Sequence, residues 1–241
     1  MACKLAARKA TIVAFAFLAM AFAAILPQFA FADDPMEVVV LDDAGKATIY
    51  DAVSAKTGKI TVTVNAISDV DGYDYQIAPN KNFGNGLKEA TKSASTTTFS
   101  GLTQGKTYYA RARGYLIYEG VKYCTKWSSA TKVKVAIKAS KTKIVGTWKL
   151  VKSTNATENK AIKHNKKYFP KKKYTLTFKK NGVMVEKDYY GKNKGTLKWA
   201  ATAKNVGYFV VNNIKVGSIK VSGKKIVVDN TEAKWTLERV K

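Results

Sequence analysis

The stretch from Leu102 to Tyr115 (LTQGKTYYARARGY) constrains the fold more than any other part of the chain. Gly105 and Lys106 punctuate a turn. After it Tyr108, Ala110, Ala112 and Gly114 fall on one face of an extended backbone, and Tyr109, Arg111, Arg113 and Tyr115 on the other. Small or apolar residues alternating strictly with charged ones define a half-buried strand. Leu102 precedes Tyr108 by six residues, with a glycine between. That spacing reads as a tyrosine corner, in which the phenol bonds backbone and pins the crossover of a β-sandwich.

The same period recurs on either side. Ile60-Thr-Val-Thr-Val64 is a strand, Asp69 to Gly72 a turn, Tyr73 to Ile77 a second strand and Thr96 to Phe99 a third. The polar, glycine-containing run from Asn80 to Lys88 reads as a loop. Glu119-Gly120 is a hairpin turn, and Val121 to Tyr123 and Lys132 to Val135 close the set. Short strands spaced by turns, with no helical period, predict a sandwich. Residues 33–47 read as a flexible lead-in or a first edge strand, with the apolar run Val38 to Leu41.

Ile60-Thr-Val-Thr-Val64, Asp71-Gly-Tyr73, Leu102-Thr-Gln-Gly105, Tyr108-x-Ala-x-Ala112 and Trp127-Ser128 occur in one order. In this the region 48–137 resembles the fibronectin type III domain, and most of all its versions in Gram-positive surface and secreted proteins. The resemblance implies an immunoglobulin-like sandwich. The family often carries a Trp at the end of its second strand, where this chain has Val64. Trp127 is expected to supply that core volume from another strand. The chain has no Arg-Gly-Asp triplet, so the integrin binding of some members is not implied.

Residues 138–143 form a short basic linker. Beyond it Ile144-Val-Gly-Thr-Trp148 opens a second β region. Tyr174 to Phe178 alternates, Lys180-Asn-Gly182 is a hairpin turn into Val183-Met-Val185, and Gly195 to Trp199 alternates again. Val206 to Val211, Ile214 to Val221, Ile226 to Val228 and Ala233 to Val240 follow through tight turns. About eight strands in simple succession predict an up-and-down barrel over 144–241, which removes exposed edges. Gly146-Thr-Trp148 at the head of such a region resembles the lipocalin and calycin superfamily, in particular the short lipocalin-like domains of bacterial secreted proteins. The resemblance implies a late arginine against the first-strand Trp. Arg239 is the match for Trp148, closing one barrel end by cation–π contact. The whole chain is therefore expected to be all-β. Tyr108, Trp127, Trp148 and Arg239 are its structural markers.

Residues 1–32 carry Lys4, Arg8 and Lys9, no acid, an apolar run from Thr11 to Leu26, then Pro27 and Ala30-Phe-Ala32. Basic head, apolar middle and Ala-x-Ala end make a secretory signal peptide, with cleavage expected before Asp33. A helix over Thr11 to Leu26 would be about 24 Å long, short of a ~30 Å hydrocarbon core. The mature chain is expected to be secreted, extracellular or loosely held at the cell wall, with no membrane span. It keeps Cys124 alone of the two cysteines, so no internal disulfide can form. Cys124 reads as a small buried apolar residue.

The formal net charge is +25. Residues 33–138 hold 14 basic and 11 acidic groups, and residues 139–241 hold 25 and 6. The excess therefore lies on the barrel region. Lys152 to Lys173 alone carries eight Lys against Glu158. With Pro170 and no strand period, it reads as a long loop over one barrel mouth. Lys163, Lys166, Lys167, Lys171, Lys172 and Lys173 are the candidate polyanion contacts. The implied partner is an anionic cell-wall polymer or glycan, or another surface protein. All but one of those 25 cations are Lys, which favours loose attraction over the forked recognition Arg provides. A solvated basic surface is the competing reading. Sequence-specific nucleic-acid recognition is not expected, since no reading element is apparent.

His164 is the one histidine and has no flanking acid. One His and Cys124 cannot complete a zinc shell. No cofactor, metal or catalytic residue is assigned, and the chain is read as a non-enzymatic binding or adhesion protein. The alternative is a carrier of a small apolar ligand, in a barrel lined by Trp148, Leu176, Phe178, Leu197 and Trp199.

Overall fold

The structure is a computed structural model that describes residues 38–41, 46–230 and 232–240. The expected signal peptide lies outside the described residues. Among the described residues the fold is all-β with one helix of several turns.

Strands β1 (Val38–Val40), β2 (Ile49–Val53), β3 (Ile60–Val64), β4 (Gly72–Ala78), β5 (Lys88–Lys92), β6 (Thr96–Phe99), β7 (Thr107–Tyr118), β8 (Val121–Cys124) and β9 (Thr131–Lys134) form two facing sheets. One sheet runs β1-β8-β7-β4-β5, with β9 also paired to β7, and the other β2-β3-β6. β1 is an edge strand parallel to β8. The inward positions of the alternating strands meet in one core of Ile60, Val62, Tyr73, Tyr75, Ile77, Phe99, Ala110 and Ala112. Tyr108 is buried, and its hydroxyl accepts from the Thr103 N–H at 3.3 Å. The phenol thus meets backbone one residue past Leu102.

Two expectations are corrected here. β5 occupies the sequence just after the expected loop. Its residues are exposed except Ala90, so a lone half-buried position on an edge strand left no alternation to read. Trp127 does not fill the core. It lies on the outer face, with the guanidinium carbons of Arg111 and Arg113 each 4.6 Å from its ring. Arg111 and Arg113 point outward by the period of β7, so the indole stacks where those cations are.

All seven residues of β4 are buried, on both faces. Asp74 on the outer face accepts from Arg113 Nε (3.0 Å), Lys122 Nζ (2.6 Å) and Thr91 Oγ1 (2.8 Å). Burial raises the Asp74 pKa, but the hydrogen bonds from Lys122, Thr91 and Arg113, with the Lys122 charge, hold it below the ordinary carboxylate value. Cys124 is buried beside it, and burial pushes its thiol up.

A 3₁₀ turn, Ala139–Lys141, spans the basic segment. Beyond it β10 (Gly146–Ser153), β11 (Thr175–Phe178), β12 (Val183–Lys187), β13 (Asn193–Ala203), β14 (Val206–Val211), β15 (Ile214–Ser222), β16 (Lys225–Asp229) and β17 (Lys234–Arg239) close an antiparallel barrel in sequence order. The β14–β15 hairpin turns on Asn212 (φ 49°) and Asn213 (φ 60°), both in the left-handed region that asparagine tolerates. Strand β17 returns to β10 with Trp148 opposite Arg239. The guanidinium lies 4.3 Å from the Trp148 ring and donates to the carbonyls of Lys143 (2.6 Å) and Val145 (3.1 Å). Gly146, at φ 137°, makes room for it, since a Cβ there would stand 2.5 Å from Arg239 Nη1.

The expected loop from Lys152 to Lys173 is instead the end of β10, then helix α1 (Ala156–Tyr168), then a short return. Asn155 caps the helix, its Oδ1 accepting from the Glu158 N–H at 3.1 Å. At 100° per residue Glu158, Asn159, Ile162 and Asn165 share the inward face, and they are the four helical residues that are not exposed. One buried apolar residue, Ile162, is too little to show as a helical period.

The sandwich and the barrel each have a core, and a smaller cluster joins them: Val53 and Ala136 with Ala200, Tyr208 and Val210 of the barrel. Ser54 is the pin. Its Oγ accepts from the Ala136 N–H (2.8 Å), and its carbonyl accepts from the Tyr208 hydroxyl (2.9 Å). Asp51 accepts from the Lys215 N–H at 3.0 Å, and Ile137 bridges to Ala201.

Candidate functional site

The inward face of α1 rests on a polar clasp at one end of the barrel. Glu158 Oε2 accepts from Ser153 Oγ (2.6 Å) and from the Trp235 indole (2.8 Å). The Tyr174 hydroxyl donates to Glu186. The Tyr174 ring lies 5.6 Å from Tyr189 and 5.9 Å from Trp235, so β10, α1, β12 and β17 all contribute to one cluster or border it. Burial pushes the Glu186 carboxyl up; nearby Lys194 opposes this and Glu158 adds to it. The Tyr189 hydroxyl is buried without a partner. Glu158 and Glu186 stand 28 positions apart in the chain, and only closure of the barrel brings them together.

A cleft of ≈ 380 Å³ opens beside this clasp, between β10, α1 and the segment after it. Leu150, Val151, Ile162 and Tyr189 line it, together with Lys149, Lys166, Lys172 and Lys173. A second hollow of ≈ 670 Å³ shares Lys149, Lys173 and Glu238 and adds Lys224, Lys225 and Arg239. The two adjoin through these shared residues, and together they are the trough. The single carboxylate lining it, Glu238, sits 3.6 Å from Lys149, opposite it in the β10–β17 register. The other cations face each other across a part-enclosed space, which focuses a positive field.

Of the six lysines expected to contact a polyanion, Lys166, Lys172 and Lys173 line this trough. Lys163 and Lys167 lie on the outward face of α1, and Lys171 is exposed beside the return segment. Lys149, Lys224 and Lys225 were not expected. They come from β10, β16 and the turn before β16, and no long charge run marks them. His164, on α1 and not on a loop, stacks on Tyr168 at 4.7 Å.

The residues expected to line a ligand chamber divide. Trp148, Leu176, Phe178 and Trp199 are buried in the barrel interior, where they form one cluster with Met184, Phe209, Ile219 and Leu237. Phe178 meets Trp199 edge-on at 5.5 Å and Phe209 at 6.1 Å. Leu197 is corrected: it is 38% exposed and outside that cluster. Residues 193–197 pair with β12 alone, because β14 joins β13 only from Lys198, so that part of the strand lacks a second neighbour to cover it. The Trp199 indole N–H has no partner. Among the described residues, no group of three or more His, Cys, Asp or Glu is placed to hold a metal ion. No helix there is long and apolar enough to cross a membrane.

No family model matches the chain, and no curated protein does. Among solved structures it is similar to one described as "Myokine structure", at 12% identity, covering 38% of this chain and 98% of that one, TM-score 0.29. It is similar to a fibronectin type III domain derived from the human KIAA0970 protein, at 15% identity over 36% of this chain and 70% of that one, TM-score 0.29. A third likeness is to titin kinase and its flanking domains, at 8% identity over 83% of this chain and 38% of that one, TM-score 0.28. At these scores the fold rests on the strand pairing itself.

Proposed function

We propose that this chain is an exported, non-enzymatic binding protein of the cell envelope or extracellular space. In this reading the barrel trough holds an anionic polymer, and the sandwich is a spacer or interaction module. The observation that carries it is the convergence of Lys149, Lys166, Lys172, Lys173, Lys224, Lys225 and Arg239 on two hollows that adjoin through Lys149, Lys173 and Glu238. A surface charged only for solubility has no reason to gather cations from three strands, a helix, a turn and a connecting segment around adjoining hollows. The Ser54–Tyr208 contact supports a stiff spacer. The tyrosine corner at Tyr108 supports a fibronectin type III reading of the sandwich. The Trp148–Arg239 pair supports a lipocalin-like reading of the barrel. The packed cluster around Phe178 and Trp199 does not favour the alternative of an apolar-ligand carrier.

The test is retention on anionic cell-wall polymer or on whole cells, washed with rising salt. Moderate salt should release the protein. Retention unchanged up to ~1 M salt, where the screening length falls to ~3 Å, would rule out charge as the cause.

A further inference from the structure

Two large aromatic side chains stand in solvent beside the trough, Phe169 (40% exposed) and Tyr190 (70%), and a third, Tyr168 (56%), precedes Phe169 at the end of α1. They are the most unusual exposed groups on the barrel, because each is paired with an ammonium. The Lys172 Nζ lies 4.0 Å from the Tyr190 ring centre and 4.9 Å from that of Phe169. The Lys167 Nζ lies 4.9 Å from that of Tyr168. Lys172 is also one of the cations lining the trough, so rim and trough are one surface. A bare polyanion would need only the cations. Ring faces add something where each ligand unit carries an apolar face next to its fixed charge.

We propose that the rim makes this site selective for an anionic polysaccharide over a polyanion of equal charge that has no rings. The inference rests on the polyanion reading of the trough and narrows it. The C–H groups on one face of a sugar ring are apolar and pack on an aromatic face, while the unit's sulfate, phosphate or carboxylate meets Lys172 and the lysines behind it. Expected export favours a glycan over single-stranded nucleic acid, which also stacks on exposed rings.

The experiment uses the full chain with heparin, with inorganic polyphosphate of matched charge, with a single-stranded oligonucleotide and with vesicles containing anionic lipid. Phe169→Ala with Tyr190→Ala should weaken heparin binding about tenfold, roughly what two lost stacking contacts amount to, and leave polyphosphate binding unchanged. Tyr190→Ala alone, at the most exposed of the three, should show part of the same loss and keeps the test standing should the double variant be unstable. Lys166→Gln with Lys173→Gln should weaken both polymers. Equal effects of the aromatic changes on both polymers, or none on either, overturn the selectivity while the lysine result still supports the trough. Wild-type binding by the lysine variant overturns the trough itself. Tighter binding to the oligonucleotide or the vesicles than to heparin overturns the choice of glycan.

Discussion

Replacing Asp74 by Asn should cost the sandwich more than any other single isosteric change. The carboxylate is ringed by Arg113, Lys122 and Thr91 at 2.6–3.0 Å, and its side chain is 10% exposed. An amide of the same shape keeps a bond to Thr91 but leaves two cations facing each other with no anion between. Breaking a buried ion pair from one side costs roughly 3–5 kcal/mol. Arg113 and Lys122 keep 16% side-chain exposure and can swing partly into water, so about 2–3 kcal/mol is the expected loss. Urea unfolding followed by tryptophan fluorescence, with Trp148, Trp199 and Trp235 of the barrel replaced by Phe in both proteins, reads it locally, because the Trp127 indole is stacked on Arg113. The pH dependence gives an independent check. The Asp74 pKa is depressed in the folded state, so its contribution is complete above the ordinary carboxylate pKa and is lost as pH falls through the lower folded value. The difference in stability between wild type and Asp74→Asn should therefore shrink on acidification. A loss under ~0.5 kcal/mol at neutral pH, the range of an ordinary surface change, would refute the reasoning.

Arg239→Met removes one cation–π contact and two bonds to carbonyls, all at an exposed position, and should destabilise the barrel by about 1–2 kcal/mol in thermal melting. Tyr208→Phe strips the Ser54 carbonyl of a buried donor and should cost ~1–2 kcal/mol, with sandwich and barrel melting further apart. Burial pushes the Tyr208 phenol up to about 12, so wild type should lose stability relative to this variant as pH climbs from about 10 towards that value. Glu186→Gln should gain on wild type as pH rises through the carboxylate range. Burial makes the charged form unfavourable there, and chemical denaturation at pH 4 and pH 7 reads the difference. Equal stability differences at the two values would contradict the burial of Glu186.

Legibility followed burial on two faces. Strands β3, β7 and β11 carry clean alternation because one face meets a core and the other water, and the sequence shows them directly. β5 was missed because a lysine-bearing edge strand has one half-buried residue, Ala90, to betray it. Helix α1 was missed for a similar reason, since Ile162 is its one buried residue and its lysines read as a solvated loop. A signal was present all the same: Asn155 with Glu158 three residues on is the start of a capping pattern, and Pro170 stops the helix beyond its end. The trough was half legible. Lys166, Lys172 and Lys173 belong to a visible charge run, whereas Lys149, Lys224 and Lys225 meet them only because closure of the barrel sets β17 between β10 and β16, with the turn before β16 beside it. The Glu158–Ser153–Trp235 clasp needed the same closure.

The central claim is that the barrel trough binds a polyanion by charge, and the salt dependence of heparin affinity tests it most directly. Titration of the full chain between ~50 and ~200 mM salt should give a straight fall of log K against log salt. Replacing Lys149, Lys166 and Lys173 by Gln should lessen the slope by roughly one per lysine. An affinity indifferent to salt, or a triple variant with the wild-type slope, would contradict it.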